Sequence, residues 1–582
     1  MSAETLASRL AAAALTPGRI VFLDAQEREV VIPHAELFAR ARRAAGGIAA
    51  LGIEAGERVA IIAATSPAFF DGFFGAILAG AVPVPLYPPV RLGRLQEYHE
   101  RTAAMLRSAR ARIVLADSRT RRVLGRSVEL AQPELGCVAL ETIQREPLPL
   151  RTHDPDAIAF IQFSSGTTRE PKPVALTHRQ ILANADAIAT AIRAAHPEID
   201  GFVHVAASWL PLYHDMGLVG GVFTSLFHGR DLVLIPPELF VVRPATWLRA
   251  IAHYGATISP APNFAYALCT ERVQDEDLAG LDLSSWRVAL NGAEPVTPLA
   301  LERFVERFAR WGLRPEALTP VYGLAEATLA VTFSALDRPF RAHRFDPRAL
   351  MEAGRAVPDP SGQAIVSLGP PLPGFDVAIV DDDGETLGAG IVGRVRVRGP
   401  SIMAGYDGMP EATREALVDG WLDTGDIGFL FDGELHLVGR AKDLIIVRGR
   451  NHAPQDVEYA IDDLPGIRTG CSAAVGALGQ DGGGEALWIF VERARNAPID
   501  DATIVQQVRA RVLERVGLDV ERILVLDAGT LPRTSSGKIR RSEALRLHQT
   551  GRLVAPQRVN LPRLALEMLR SKRAFRRARP RH

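Results

Sequence analysis

Amphipathic helical stretches that run straight into short apolar segments constrain this chain more than any other feature. Arg94 to Arg112 reads as such a helix, Ile113-Val114-Leu115 as the strand after it, and the pattern returns through Ile251 to Ile258 and Trp286 to Leu290. A buried strand behind each helix needs a neighbour to cover its faces, so this alternation predicts an α/β protein of doubly wound sheets. The chain has 582 residues, more than one core usually supports, with 47% apolar and 23% charged residues, a globular composition, so two or more domains are expected. No repeat with a period of about 20 to 50 residues is visible.

Lys and Arg balance Asp and Glu at 67 each, so the formal charge is zero. Nothing at long range then attracts nucleic acid or an anionic membrane, and neither is expected as a partner. Cys137, Cys269 and Cys471 lie far apart. That spacing suits neither a disulfide framework nor a zinc site and points to a reducing, cytoplasmic location. Residues 1–10 carry Glu4 and Arg9 and do not resemble a secretory signal. The uncharged stretch Gly72 to Val90 has the length to cross a bilayer, but Gly80, Pro83, Pro85, Pro88 and Pro89 break it near its middle. No membrane span is expected.

Chemistry first shows in Ser164-Ser165-Gly166-Thr167-Thr168-Arg169-Glu170-Pro171-Lys172, which follows the apolar segment Ala157 to Phe163. Small residues leave backbone N–H groups uncovered, and convergent N–H groups, hydroxyls and one ammonium form a cradle for a polyphosphate. The run is not a G-x-x-x-x-G-K-[ST] loop, which sets aside the common phosphoryl-transfer enzymes. Later, Gly, Asp and charge gather in Trp421 to Asp426 and in Gly439 to Leu444. A smaller α/β pattern resumes beyond them: a strand at Leu487 to Val491, a helix near Ile504 to Val516 with Ile504, Val508, Val512 and Val516 four apart, and a strand at Arg522 to Leu526. A domain boundary is expected near Arg440.

Seven segments in order carry a family resemblance: Ser164 to Lys172, Leu210 to Gly217, Asn291-Gly292-Ala293-Glu294-Pro295, Tyr322-Gly323-Leu324-Ala325-Glu326-Ala327-Thr328, Thr424-Gly425-Asp426, Gly439 to Asp443, and Pro532 to Lys538. Together they resemble the adenylate-forming enzymes, which include acyl-CoA synthetases, amino-acid adenylation domains and luciferases. The resemblance implies an N-terminal domain over 1–440, with doubly wound sheets and a small barrel-like subdomain, and a mobile α+β lid over 441–582. It also implies a use for ATP and magnesium. Lys538 resembles the lysine that bridges carboxylate and α-phosphate, Glu326 the magnesium ligand with help from Thr167 or Thr168, and Asp426 the ribose acceptor supported by Arg440. Ser164, Ser165, Gly166, Thr167, Thr168 and Lys172 would hold phosphates. Tyr322, Gly323 and the turn Asn291, Gly292, Ala293, Glu294 would hold adenine. His214 falls beside the acyl carboxylate, and Lys442 falls at the hinge on which the lid turns.

Within that superfamily, Trp209 to Leu218, Ser259 to Tyr266, Asp443 to Glu458 and Arg169 look like fatty acyl-AMP ligases. So does the polar stretch 336–365, which resembles the insertion linked in that branch to rejection of CoA. Leu368 stands where the common pattern has cysteine, a change that keeps apolar packing. Where amino-acid adenylation domains carry an aspartate for the substrate amine, this chain reads Pro-Leu-Tyr-His, which disfavours an amine. The expected activity is formation of a fatty acyl-AMP, followed by transfer to the phosphopantetheine thiol of an acyl carrier protein or of a carrier domain in a polyketide or peptide synthase. An acyl-CoA synthetase and an inactive homologue that binds acyl chains or carrier protein are the alternatives. The tail 570–582 holds seven Lys or Arg and reads as a solvated, disordered charge run, the alternative being a patch that attracts an acidic carrier protein, an anionic membrane surface or nucleic acid.

Overall fold

The computed structural model describes residues 4–89, 92–164, 171–199, 201–447, 450–478, 485–494, 497–534, 537–556 and 561–578. Its central layer is an eight-stranded sheet ordered Ala330–Phe333, Leu318–Gly323, Val288–Asn291, Ile258–Ala261, Val205–Ser208, Asp231–Leu234, Arg19–Leu23 and Glu29–Pro33. The inner pairings are parallel and only the two outermost are antiparallel. Parallel strands deliver their carboxyl ends to one edge, where an α/β sheet opens a crevice for ligands. Asn291, Gly323 and Ser208 all end strands there.

A second, four-stranded parallel sheet comprises Val82–Leu86, Arg58–Ile62, Ile113–Ala116 and Cys137–Ala139. The long uncharged stretch supplies the buried helix Pro67–Ala79 and the buried strand Val82–Leu86, separated by Gly80 at φ 82°. Four phenylalanines of that helix, Phe69, Phe70, Phe73 and Phe74, are fully buried and join it to the main core. Among the described residues no helix is long and apolar enough to cross a membrane. Asp376–Val380, Gly393–Arg398, Trp421–Phe431, Leu417–Val418 and Glu434–Arg440 form a five-stranded antiparallel sheet.

Beyond Arg440, Ile467–Leu478, Glu485–Arg493 and Arg522–Leu526 form a separate sheet. The helix Asp501–Val516 packs on it through buried Ile504, Val508 and Val512, with Asp500 capping one end and Gly517 at φ 72° the other. This part therefore has a core of its own.

The insertion pairs Ala342–Phe345 with Gln363–Val366 around the helix Pro347–Glu352. Phe345 anchors it edge-on to Phe429 at 5.0 Å, and Gln363 Nε2 donates to Asp456 Oδ1 at 2.7 Å, a bond that reaches the C-terminal part. Leu368 is buried, as its packing role requires.

In the described part of the basic tail the cations are exposed, but the segment is helical and docked rather than free. It belongs to the helix Leu561–Arg577, which crosses back to the large domain and lies along the helix Ser118–Ala131. Gly125 N–H donates to Ser571 Oγ at 2.8 Å, and a Cβ at Gly125 would stand 2.2 Å from the Ser571 carbonyl, so glycine sets the closeness of the two helices. Arg121 covers the Phe575 ring at 5.3 Å.

Candidate active site

The Asp426 site is built by register. Strand Trp421–Phe431 pairs with Glu434–Arg440 so that Asp426 faces Arg440, and Arg440 Nε donates to Asp426 Oδ1 at 3.0 Å. From the central sheet, Tyr322 Oη donates to Asp426 Oδ2 at 2.7 Å. Burial first, and then the Asp426 charge, hold the Tyr322 phenol protonated far above its ordinary range. Asp426 in turn raises Arg440. Each carboxylate oxygen keeps a lone pair beyond these bonds, which two neighbouring hydroxyls of a sugar could use.

The turn after Val288–Asn291 is tight. Asn291 is fully buried, its Nδ2 donates to Asn263 Oδ1 at 3.1 Å, and its Oδ1 has no partner among the described residues. A buried amide oxygen left open is expensive unless a ligand supplies the donor. A Cβ at Gly292 would lie 2.8 Å from Val321 Cγ2, and Ala293 adopts φ 68°, a left-handed conformation that alanine rarely takes. Glu294 Oε1 accepts from Phe264 N–H at 2.6 Å. Burial raises the Glu294 pKa, with the Phe264 N–H and Lys538 opposing. At Gly323 a Cβ would sit 1.8 Å from the Leu329 carbonyl, so no other residue fits that bend.

Asp215 and His214 precede a segment, Met216–Phe223, wound as a π-helix, a geometry common at functional sites. His214 Nδ1 lies 2.6 Å from Asp215 Oδ1, and Met216 N–H donates to the same oxygen at 2.7 Å. Burial works against ionisation of Asp215, but His214 and then Lys538 outweigh it and lower its pKa. Lys538 arrives from the C-terminal part on a turn in which Thr534 N–H donates to the Lys538 carbonyl at 2.8 Å and Gly537 takes φ 97°. Burial and the neighbouring Arg440 lower the Lys538 pKa, while Asp215, Glu294 and Asp426 resist. One ammonium thus stands among the carboxylates of three different segments of the large domain.

Glu326 is held by Tyr406 Oη at 3.0 Å, and the Lys172 ammonium stacks on the Tyr406 ring at 4.5 Å. Burial raises the Glu326 pKa, and Asp215 adds a like charge. A desolvated carboxylate with a second one nearby is a place where a cation lowers the energy. Among the described residues no cluster of three or more His, Cys, Asp or Glu could hold a metal alone. That donor set fits magnesium, which takes few protein ligands and completes its shell with phosphate and water.

The structure brings together Lys538, His214, Asn291, Glu294, Tyr322, Glu326, Asp426, Arg440 and Lys172. Ser164 N–H donates to the Lys172 carbonyl at 2.9 Å. Ser165, Gly166, Thr167 and Thr168 lie outside the described residues. Lys442 is exposed on the turn between Arg440 and Ile445. Tyr406 and Arg541, like the pairing of Asp215 with His214, escaped sequence reasoning. Tyr406 sits on the two-residue strand Gly405–Tyr406, which no periodicity marks. Arg541 pairs with both Glu458 oxygens at 2.6 Å and bolts the segment after Lys538 to the helix Pro454–Ile461; a basic residue so close to a glycine-lysine turn was the available signal.

Comparison with known proteins follows the same lines. The family described as AMP-binding enzyme matches residues 10–407. The long-chain-fatty-acid–AMP ligase FadD23 of Mycobacterium tuberculosis is 36% identical over 522 residues, covering 85% of this chain and 87% of that protein. The medium-chain-fatty-acid–[acyl-carrier-protein] ligase JamA of Moorena producens is 34% identical, covering 90% of each. A structure from studies of fatty acyl-adenylate ligases of E. coli and L. pneumophila superposes with a TM-score of 0.87 at 34% identity, covering 94% of this chain and 98% of the other.

Proposed function

This chain belongs to the AMP-binding enzyme family and, within it, stands with the fatty acyl-AMP ligases; from that premise we propose that it activates a fatty acid with ATP and hands the acyl group to a carrier-protein thiol. In the first step a carboxylate oxygen bonds to the α-phosphorus as the bond from that phosphorus to the β-phosphate oxygen breaks. Pyrophosphate leaves and an acyl-AMP remains. In the second step the carrier's thiolate sulfur bonds to the acyl carbon, AMP departs with its oxygen, and the thiol proton passes to solvent.

The obstacle in the first step is the approach of one anion to another. Lys538 offsets that repulsion from a site already prepared for a cation by Asp215, Glu294 and Asp426, and this placement is the observation that carries the proposal. Asp426, fixed by Arg440 and Tyr322, holds the ribose, and the open Asn291 Oδ1 accepts from the adenine amine. His214, tied to Asp215, orients the incoming carboxylate. Magnesium, held by Glu326 with Thr167 and the phosphates, would neutralise part of the polyphosphate charge. Lys442 serves as the pivot that removes Lys538 before the thiol arrives. The insertion bond from Gln363 to Asp456 ties the lid on one side and supports a carrier protein over free CoA as acceptor.

The test offers the acyl-AMP-loaded protein free CoA and phosphopantetheinylated carrier protein in separate reactions. Acyl transfer to the carrier alone is expected. Transfer to CoA at an equal rate would instead favour an acyl-CoA synthetase, and absence of fatty-acid-dependent pyrophosphate release would remove both readings.

A further inference from the structure

A groove of about 1310 Å³ runs between the helix Leu95–Ser108 of the large domain, the helix Arg541–Gln549 of the C-terminal part and the tail helix Leu561–Arg577. Among the described residues, none of the side chains gathered around Lys538 lines it. Arginines outnumber glutamates two to one along its walls, in a chain whose formal charge is zero. Glu129 is shared by Arg126 and Arg577, Glu567 is held by Arg570 and Glu97 by Arg94. Among the described residues no carboxylate pairs with Arg101, Arg107 or Arg573, and Arg101 Nε is buried without a partner. Burial, and then Arg101, lower the pKa of Arg540 on the lid side of the groove. Guanidiniums crowded together without matching anions repel one another, and an incoming anion relieves that repulsion.

Shape and sign pattern select among anions. A membrane surface is flat and does not enter a groove. A nucleic acid is anionic along its whole length and would meet Glu97, Glu100 and Glu567 as well as the arginines. A protein helix instead presents carboxylates singly, separated by other side chains, and the groove offers it apolar surface at Leu547, Pro556 and the exposed Val554. The place also suits an acyl acceptor. Tyr98 of the helix Leu95–Ser108 meets the Tyr87 ring edge-on at 5.4 Å, Tyr87 meets the Tyr213 ring at 6.1 Å, and Tyr213 precedes His214. A partner seated against that helix is two rings from the reaction.

We propose that this groove is the docking face for the carrier protein and that the tail helix is one of its walls, reading an acidic helix of the carrier through Arg107 and Arg573. This rests on the carrier-protein reading given above. The tail helix lies beyond residues 10–407, the span that matches the AMP-binding enzyme family, so this wall stands outside the shared adenylation framework. Arg107 and Arg573 are exposed on the large-domain side of the groove, one on Leu95–Ser108 and the other on the helix docked along Ser118–Ala131, so a turn of the lid leaves both in place.

Acyl transfer from the acyl-AMP-loaded protein to phosphopantetheinylated acyl carrier protein, over a range of carrier concentrations, tests the docking. Free phosphopantetheine is the second acceptor, since it brings the thiol without the protein around it. R107E/R573E should raise the KM for the carrier about thirtyfold with kcat within about threefold, and should leave transfer to free phosphopantetheine within about twofold. R107K/R573K keeps both charges and should stay within about threefold of the unaltered protein for either acceptor. Added salt should raise the carrier KM of the unaltered protein, and more steeply than that of R107E/R573E. A carrier KM that does not move in R107E/R573E with an unaltered melting midpoint overturns the docking face while leaving the carrier as acceptor. So does equal loss toward both acceptors, or a carrier KM of the unaltered protein that ignores salt. Phosphatidylglycerol vesicles that bind the unaltered protein and are released by R107E/R573E, with the carrier KM unmoved, would give the face to a membrane instead. No transfer to the carrier by the unaltered protein removes the carrier reading itself.

Discussion

Lys538 illustrates how one residue's meaning depends on charges from distant segments. Its ammonium is destabilised by burial and by Arg440 and rescued by Asp215, Glu294 and Asp426. A lysine whose pKa is lowered on folding loses its proton earlier as pH rises, so adenylate formation should decline at alkaline pH before an ordinary lysine would titrate. Replacing Asp215 by Asn removes one of the charges that hold the proton on. The alkaline limb of the pH–rate profile should then move to lower pH, and an unmoved limb in Asp215→Asn would show that the two groups are not coupled. The sequence placed Lys538, Glu326, Asp426 and His214 in motifs. It was silent on Tyr406, because a lone tyrosine on a two-residue strand has no pattern around it, and on Asp215 as the partner of His214, because adjacency in the chain does not tell which neighbour points inward.

At the scale of elements, the alternation of helix and apolar strand foretold the parallel sheets because each buried strand must be covered on both faces. The five-stranded antiparallel sheet was less visible, since its strands carry half-buried patterns interrupted by register shifts at Arg394 to Arg396 and at Ile427 to Gly428. The insertion was marked by composition alone. Its fold and its bond to the C-terminal part come from contacts, Phe345 on Phe429 and Gln363 on Asp456, that no local pattern encodes. Burial pushes Asp456 up from 3.8 to about 7. A carboxyl raised on folding binds its proton more tightly in the native state, so native stability falls as pH rises between those two values and the loss is complete above the upper one. Asp456→Asn should therefore melt higher than the unaltered protein by about 2 kcal/mol of stability near pH 8, with a smaller gap near pH 5. A gap independent of pH would refute the burial argument.

For the whole molecule, the last described helix packs against the rest of the fold. The helix Leu561–Arg577 returns to the large domain, where Ser571 meets Gly125 and Phe575 lies under Arg121. Charge composition suggested a free basic tail because seven cations in a row of thirteen residues usually stay hydrated. The apolar residues that dock it, Ala574 and Phe575, are few and sit among the arginines, so the docking face was masked. Phe575→Ala should destabilise this contact by about 1–2 kcal/mol, less than a fully buried phenylalanine would cost, and raise amide exchange along Ser118–Ala131. Unchanged exchange there would mean the helix does not stay docked in solution.

All three scales meet where the Lys538 ammonium of the C-terminal part feels Asp215, Glu294 and Asp426 of the large domain. The most direct measurement is single-turnover formation of acyl-adenylate and pyrophosphate by Lys538→Ala beside the unaltered protein, with the melting midpoint recorded for both. The rate is predicted to fall on the order of a thousandfold with folding intact, the size of effect that losing one preorganised charge produces. An unchanged rate in a folded variant would contradict the account.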